Sequence, residues 1–421
     1  MKAATLSLIL LILLSGSLGA QKISEWRPEN RTGVSAETGL MKSWPATGPT
    51  LLWSCLDLGK GFSSPSFGTN TIYISGNTGD NGADDILYAL NMEGKILWQT
   101  ATGRAWTGSS PESRATPTVE GSRVYTCSGF GDLACIDGTS GKIIWSYKAS
   151  ELNKGTYGEW GIAESLLVDG NKIYFSPGGP ETMTIALNKA TGDVIWKSVS
   201  LNDKPGYVSP ILINYVGKKM IVNVSMGHIF GVDASNGEIL WKVSHGQSSD
   251  PKLRKYELIK CTTPLYNDGM VYVTGGYDTE SMMVKIAGDG KSATVAWTDS
   301  ILDNHHGGVV LVNGYIYGSN WLNNSDGNWC CIDWKTGKKM WEEHWNTKGS
   351  IISAEGMLYI YEEKNGNVGL LKAGPEKFDL VSSFKITQGK SGPFWAHPVI
   401  HNKVLYLRHT NALMAYDIKV R

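Results

Sequence analysis

The segment Cys-Ile-Asp-Gly-Thr-Ser-Gly-Lys-Ile-Ile-Trp at 135–145 decides the fold, because it recurs. It returns as Ala-Leu-Asn-Met-Glu-Gly-Lys-Ile-Leu-Trp at 89–98 and as Ala-Leu-Asn-Lys-Ala-Thr-Gly-Asp-Val-Ile-Trp at 186–196. Further copies are Gly-Val-Asp-Ala-Ser-Asn-Gly-Glu-Ile-Leu-Trp at 231–241 and Cys-Ile-Asp-Trp-Lys-Thr-Gly-Lys-Lys-Met-Trp at 331–341. A decayed copy ends at Trp297, and Phe384 holds the place of the next tryptophan. The end residues 98, 145, 196, 241, 297, 341 and 384 lie 43 to 56 apart, the period of a four-stranded propeller blade.

Each copy has a local physical reading. Asp or Asn opens a tight turn by bonding its own backbone, and Gly supplies the left-handed residue of that turn. The apolar pair and Trp then form an outer strand whose indole packs on the neighbouring blade. Apolar runs upstream in each repeat, such as 123–127, 270–274 and 357–361, supply the middle strands. Seven units are complete. The C-terminal segment from Trp395 to Val420 supplies three strands, and Leu51-Leu52-Trp53 supplies the missing fourth. The expected fold is all-β: an eight-bladed β-propeller with tryptophan-docking repeats, its ring closed by the N-terminal strand so that no sheet edge is left open at the seam.

Composition agrees. The chain has 421 residues, of which 50 are Gly and 16 Trp, with 39 basic and 39 acidic side chains. A formal charge of zero removes the electrostatic case for nucleic-acid binding or for an anionic lipid surface. Lys2, the apolar run 6–14 and Leu18-Gly19-Ala20 read as a cleaved signal peptide over 1–20, too short to span a bilayer. Gln21 rather than Cys follows, so no lipidated N-terminus is expected. The organisation expected is an export signal (1–20), an N-terminal arm (21–49) and a propeller domain (50–421), located in the periplasm or outside the cell. No further stretch is apolar enough to span a membrane.

The repeated phrase resembles the docking motif of the quinoprotein-like, pyrroloquinoline quinone (PQQ)-type β-propeller family. Trp26-Arg27-Pro28-Glu29-Asn30-Arg31-Thr32-Gly33 resembles a header of its exported bacterial members. The resemblance covers about 24–420. It implies the fold, and it opens two functional lines: PQQ-dependent alcohol or sugar dehydrogenases, with PQQ and calcium as cofactors, and non-catalytic envelope assembly with a protein partner. Cys330-Cys331 is adjacent, like the cysteines that close a disulfide ring over the quinone in the family's enzymes. Its register is that of a docking-repeat strand, however, where two adjacent side chains point to opposite faces. No Cys-x-x-Cys-His haem site occurs. The run Asn77–Gly82 is a weak calcium-loop candidate, since its third position is Gly and no Glu follows at the required spacing.

Topology places the site. In a four-stranded meander the docking turns lie on one face, and the blade-to-blade connections lie on the other. Residues just before each inner strand therefore ring the channel mouth on that second face. The column reads Phe62, Arg114, Glu159, Trp160, Tyr207, Lys260, His305, His306, Ser350, Trp395 and His397, with Trp321 on a hairpin tip. Arg114 and Lys260 suit an anionic group. Trp160, Tyr207, Trp321, Trp395 and His397 suit a sugar ring or flat molecule. His305, His306 and Glu159 are the candidate acid/base groups, with at most one of the two histidines entering the channel if the pair is extended. Trp26 and Trp44 are expected to pin the arm. The reading is an exported propeller that binds a small polar ligand, a saccharide among the options. A quinoprotein oxidoreductase, a carbohydrate lyase or hydrolase and an assembly scaffold remain as alternatives.

Overall fold

Eight antiparallel four-stranded meanders stand around one axis in the computed structural model, which describes residues 23–77, 83–245 and 259–421. The export-signal expectation (1–20) and most of the Asn77–Gly82 run lie outside the described residues. The inner strands of blades 1 to 8 are Ser66–Phe67, Thr118–Glu120, Leu167–Asp169, Ile211–Tyr215, Leu265–Asn267, Val309–Val312, Gly349–Ala354 and Val399–His401. Blade 8 takes its outer strand from the other end of the chain: Thr50–Cys55 pairs antiparallel with Ala412–Asp417. The seam is therefore closed as the repeat count requires.

Side chains alternate along each strand, so every blade buries one set of residues against each neighbour. The main apolar clusters accordingly sit between blades. Leu265, Tyr272 and Met283 of blade 5 meet Val309, Ile316 and Cys330 of blade 6. The next residue, Cys331, belongs to the cluster between blades 6 and 7. Cys330 and Cys331 are both buried, unbonded strand residues.

The repeated phrase performs the docking. The indole of Trp145 lies where a side chain on Gly192 of the next blade would stand, and its Nε1 donates to the Lys189 carbonyl at 3.0 Å. Trp53 meets Gly94 across the seam in the same way and donates to the Met92 carbonyl at 2.8 Å. Phe384 meets Gly48. Where the phrase has decayed, at blade 5, docking changes hands. Trp241 turns back onto Met220 of its own blade, and the Tyr215 hydroxyl donates to the Ile286 carbonyl instead.

Buried arginines add a second set of ties. Arg408 of blade 8 is 1% exposed and donates to the carbonyls of Gly59, Ser63 and Ser75 in blade 1. The N-terminal arm crosses the channel. Ile23–Ser24 pairs with the inner strand of blade 2, and Val34–Ser35 runs parallel to that of blade 7. Inner strands present open edges to the axis, and the arm covers two of them. Between these contacts Arg27 donates to the carbonyls of Val309 and Ile351, and Arg31 to those of Leu166 and Pro210. The arm thus lies across the channel, tied to blades on both sides of it.

Candidate functional site

The hollow on the connection face is a cup of about 350 Å³. Its volume lies at the small end of the range for ligand sites, ~300–1,000 Å³. Six aromatic rings line it: Trp26, Phe62, Trp160, Tyr207, Tyr277 and Trp395. Arg114, Cys261, His305, His306, Glu363 and His397 also face it. The rings support one another at the edges. Phe62 and Trp395 have centroids 4.9 Å apart, and Trp160 and Tyr207 are 5.4 Å apart. The Tyr207 hydroxyl accepts the Trp160 backbone N–H at 3.2 Å.

Both histidines of the pair line the cup; the limit of one held only for an extended pair, and this pair is not extended. Residues 305–308 do not form a strand. A side chain on Gly307 would overlap the Gly349 carbonyl, and one on Gly308, at φ +72°, would overlap the Arg27 guanidinium. The double glycine lets the arm and blade 7 approach, and the resulting bend turns both imidazoles inward with centroids 4.4 Å apart.

The imidazoles are poor bases here. His305 Nε2 is 3.0 Å from the Tyr277 hydroxyl, and its Nδ1 is sealed from solvent. Burial holds its pKa well below the ordinary value, with His306 and Lys348 adding to the effect. Burial and then Lys348 push His306 down to about 3. Its Nε2 faces Glu363 Oε2 at 3.3 Å but is too poorly aligned for a hydrogen bond. Lys348 holds the other Glu363 oxygen at 2.7 Å, and burial raises the pKa of that carboxyl. His397 receives the Arg27 N–H on Nδ1 at 3.1 Å, so its Nε2 carries the proton and donates to the His306 carbonyl at 3.0 Å. His397 therefore lends the cup a ring face, with both nitrogens occupied.

Eight of the twelve residues in the sequence-derived column converge on the cup: Phe62, Arg114, Trp160, Tyr207, His305, His306, Trp395 and His397. Four do not line it. Ser350 is buried and donates to the Ala396 carbonyl. Glu159 is exposed beside inward-facing Trp160. Lys260 is 1% exposed and lies under Gly275, while its neighbour Cys261 faces the cup. Trp321 stands behind Tyr277, with centroids 5.3 Å apart. The column missed Tyr277 and Glu363, both on second-hairpin tips, and Trp26 from the arm.

The fold and cup define the class, an eight-bladed docking-repeat propeller with an aromatic-lined cup on its connection face. The sequence profile described as outer membrane protein assembly factor BamB matches residues 83–343, and the chain belongs to this PQQ-type propeller family. It is 25% identical over 279 residues to tetrathionate hydrolase of Acidithiobacillus ferrooxidans, a match covering 57% of this chain and 51% of the hydrolase. It is 21% identical to BamB of Moranella endobia, over 64% of this chain and 67% of that relative. The alignment thus spans about half the length of the hydrolase. Among solved structures, BamB from Moraxella catarrhalis superposes with a TM-score of 0.61 at 14% identity, covering 88% of this chain and 99% of that one. Quinohemoprotein alcohol dehydrogenase from Comamonas testosteroni gives 0.55 at 11% identity, covering 93% and 79%. At these identities the superpositions establish the shared fold alone.

The described wall offers little to the calcium ion that a PQQ site would bring. Calcium takes about six to eight oxygen ligands. Among the described residues the wall supplies one carboxylate, Glu363, and Lys348 already holds it. Among the described residues no group of three or more His, Cys, Asp or Glu side chains is placed to hold a metal ion. Cys330 and Cys331 lie within a blade strand and are absent from the cup wall. Among the described residues no helix is long and apolar enough to cross a membrane.

Proposed function

We propose that this protein is an exported binding propeller whose cup takes up a small polar molecule with an apolar ring face, a saccharide foremost. The observation that carries this reading is the wall itself, with six aromatic rings and one guanidinium converging on about 350 Å³. Sugar rings present C–H faces that stack on indole and phenol, and polar edges that take hydrogen bonds. Binding without turnover is favoured over acid/base chemistry. The two ring nitrogens of His305 are engaged or sealed, Glu159 is outside the cup, and His306 is too weak a base at neutral pH. Export is supported by the 1–20 segment and by relatives named for outer-membrane assembly. Calorimetric titration with neutral and acidic monosaccharides and short oligosaccharides tests the reading. One-to-one binding lost in both Trp160→Ala and Trp395→Ala supports it, whereas heats that persist in both variants rule the cup out as the site.

A second reading is an envelope scaffold that works through blade edges. Its support is the row of exposed apolar residues on outer strands, among them Leu97, Ile143, Ile144, Val194 and Ile195, together with the assembly-factor relatives. A photo-crosslinker at Ile144 that captures one defined outer-membrane protein, unaffected by Trp395→Ala, would favour this reading over the first.

A further inference from the structure

We infer that the ligand of the cup carries an oxyanion, a carboxylate or phosphate on the sugar, and that Arg114 is the residue that recognises it. The inference rests on the reading of the cup as a saccharide site. Among the described residues Arg114 is the one arginine or lysine in the wall. Its hydrogen bonds run to the carbonyls of Glu112 and Ser110 in its own connection. A guanidinium has five N–H donors, so these two bonds leave part of the fork uncommitted. Among the described residues no carboxylate lies within ion-pair distance of it, while Glu112 and Asp85 act on it at longer range. Its carbon stands 6.0 Å from the Phe62 ring centroid, a position that fixes the head over the aromatic wall.

The other buried or paired arginines have structural assignments. Arg27, Arg31 and Arg408 bond inner-strand and seam carbonyls, and Arg104 is held bidentate by Asp132. Among the described residues the only carboxylate in the wall, Glu363, is matched by Lys348. The facing imidazoles are neutral at pH 7. Among the described residues the cup therefore keeps one guanidinium without an ion-pair partner, in a largely desolvated aromatic setting. An oxyanion satisfies that charge with two parallel charge-assisted hydrogen bonds, and a neutral sugar cannot.

The test is titration of the intact protein at pH 7 with glucuronate, glucose 6-phosphate and glucose. Both the wild type and Arg114→Gln are measured, with thermal unfolding as the folding control. At least one anionic sugar is expected to bind roughly tenfold to a hundredfold tighter than glucose. The two anions separate carboxylate from phosphate recognition. In Arg114→Gln that preference collapses, and the anionic sugar loses more affinity than glucose. Equal binding of all three, or a preference that survives in the variant, overturns the role of Arg114 while leaving the saccharide reading in place. Binding of none of the three overturns the saccharide reading and this inference with it.

Discussion

The two faces of the ring follow different rules. On the docking face one turn phrase returns from blade to blade, decayed at blade 5 and absent at the seam, and the same indole-on-glycine contact recurs from Trp53 on Gly94 to Trp145 on Gly192. On the connection face the side chain given to the cup changes from one connection to the next: Phe62, Arg114, Trp160, Tyr207, Cys261 and His305 come from blades 1 to 6 in turn, and Trp395 from blade 8. The repeated face holds the ring together, and the unrepeated face is free to hold a ligand. Repetition thus marks stability here, and its failure marks the site.

The comparison can be broken by mutation, and the largest effect belongs to the seam. Arg408→Ala leaves the carbonyls of Gly59, Ser63 and Ser75 buried without their donor, and should cost at least ~3 kcal/mol in chemical denaturation. Trp145→Ala should cost roughly 3–5 kcal/mol by the same measurement, because it empties a docking contact. If Trp395→Ala costs as much, the division between the faces is wrong. The expected cost is below ~1 kcal/mol, with ligand affinity falling at least tenfold.

A pH series sharpens the contrast from within the core. Burial pushes the Glu164 carboxyl up to about 8 from an ordinary 4.5. Between those values the unfolded chain has lost the proton and the folded chain keeps it, so stability falls as pH rises through this window. Glu164→Gln removes the dependence. Its melting temperature should gain on the wild type steadily between pH 5 and 8, and a constant difference would refute the assignment. The smallest effect is expected at Glu159→Gln, which should change stability by less than ~0.5 kcal/mol and leave ligand binding untouched.

The fold was legible because a docking turn needs the same residue types each time it forms. Blade number, seam strand and face all follow from the spacing of one phrase. Much of the cup was legible for the same reason, since topology alone assigns the residue before each inner strand to the channel mouth. The failures are matters of parity and of chain crossing. Glu159 and Lys260 each stand one residue from a side chain that does face the cup, Trp160 and Cys261, and no periodicity in an irregular connection settles which neighbour turns inward. Tyr277 reaches the wall from a hairpin tip with φ +57°, a conformation that its sequence does not announce. Trp26 comes from an arm outside the repeat, read there as a pin for the arm and found in the cup wall.

That arm has a consequence for any polymer the protein meets. Arg27 and Arg31 fasten it across the axis. Were the cup the saccharide site proposed above, a long glycan could not lie through it with chain on both sides. It would present only a terminus, entering and leaving by the same opening. Such a site would count ends rather than lengths: halving a polymer would double the number of sites it offers, while adding units to an existing chain would offer none.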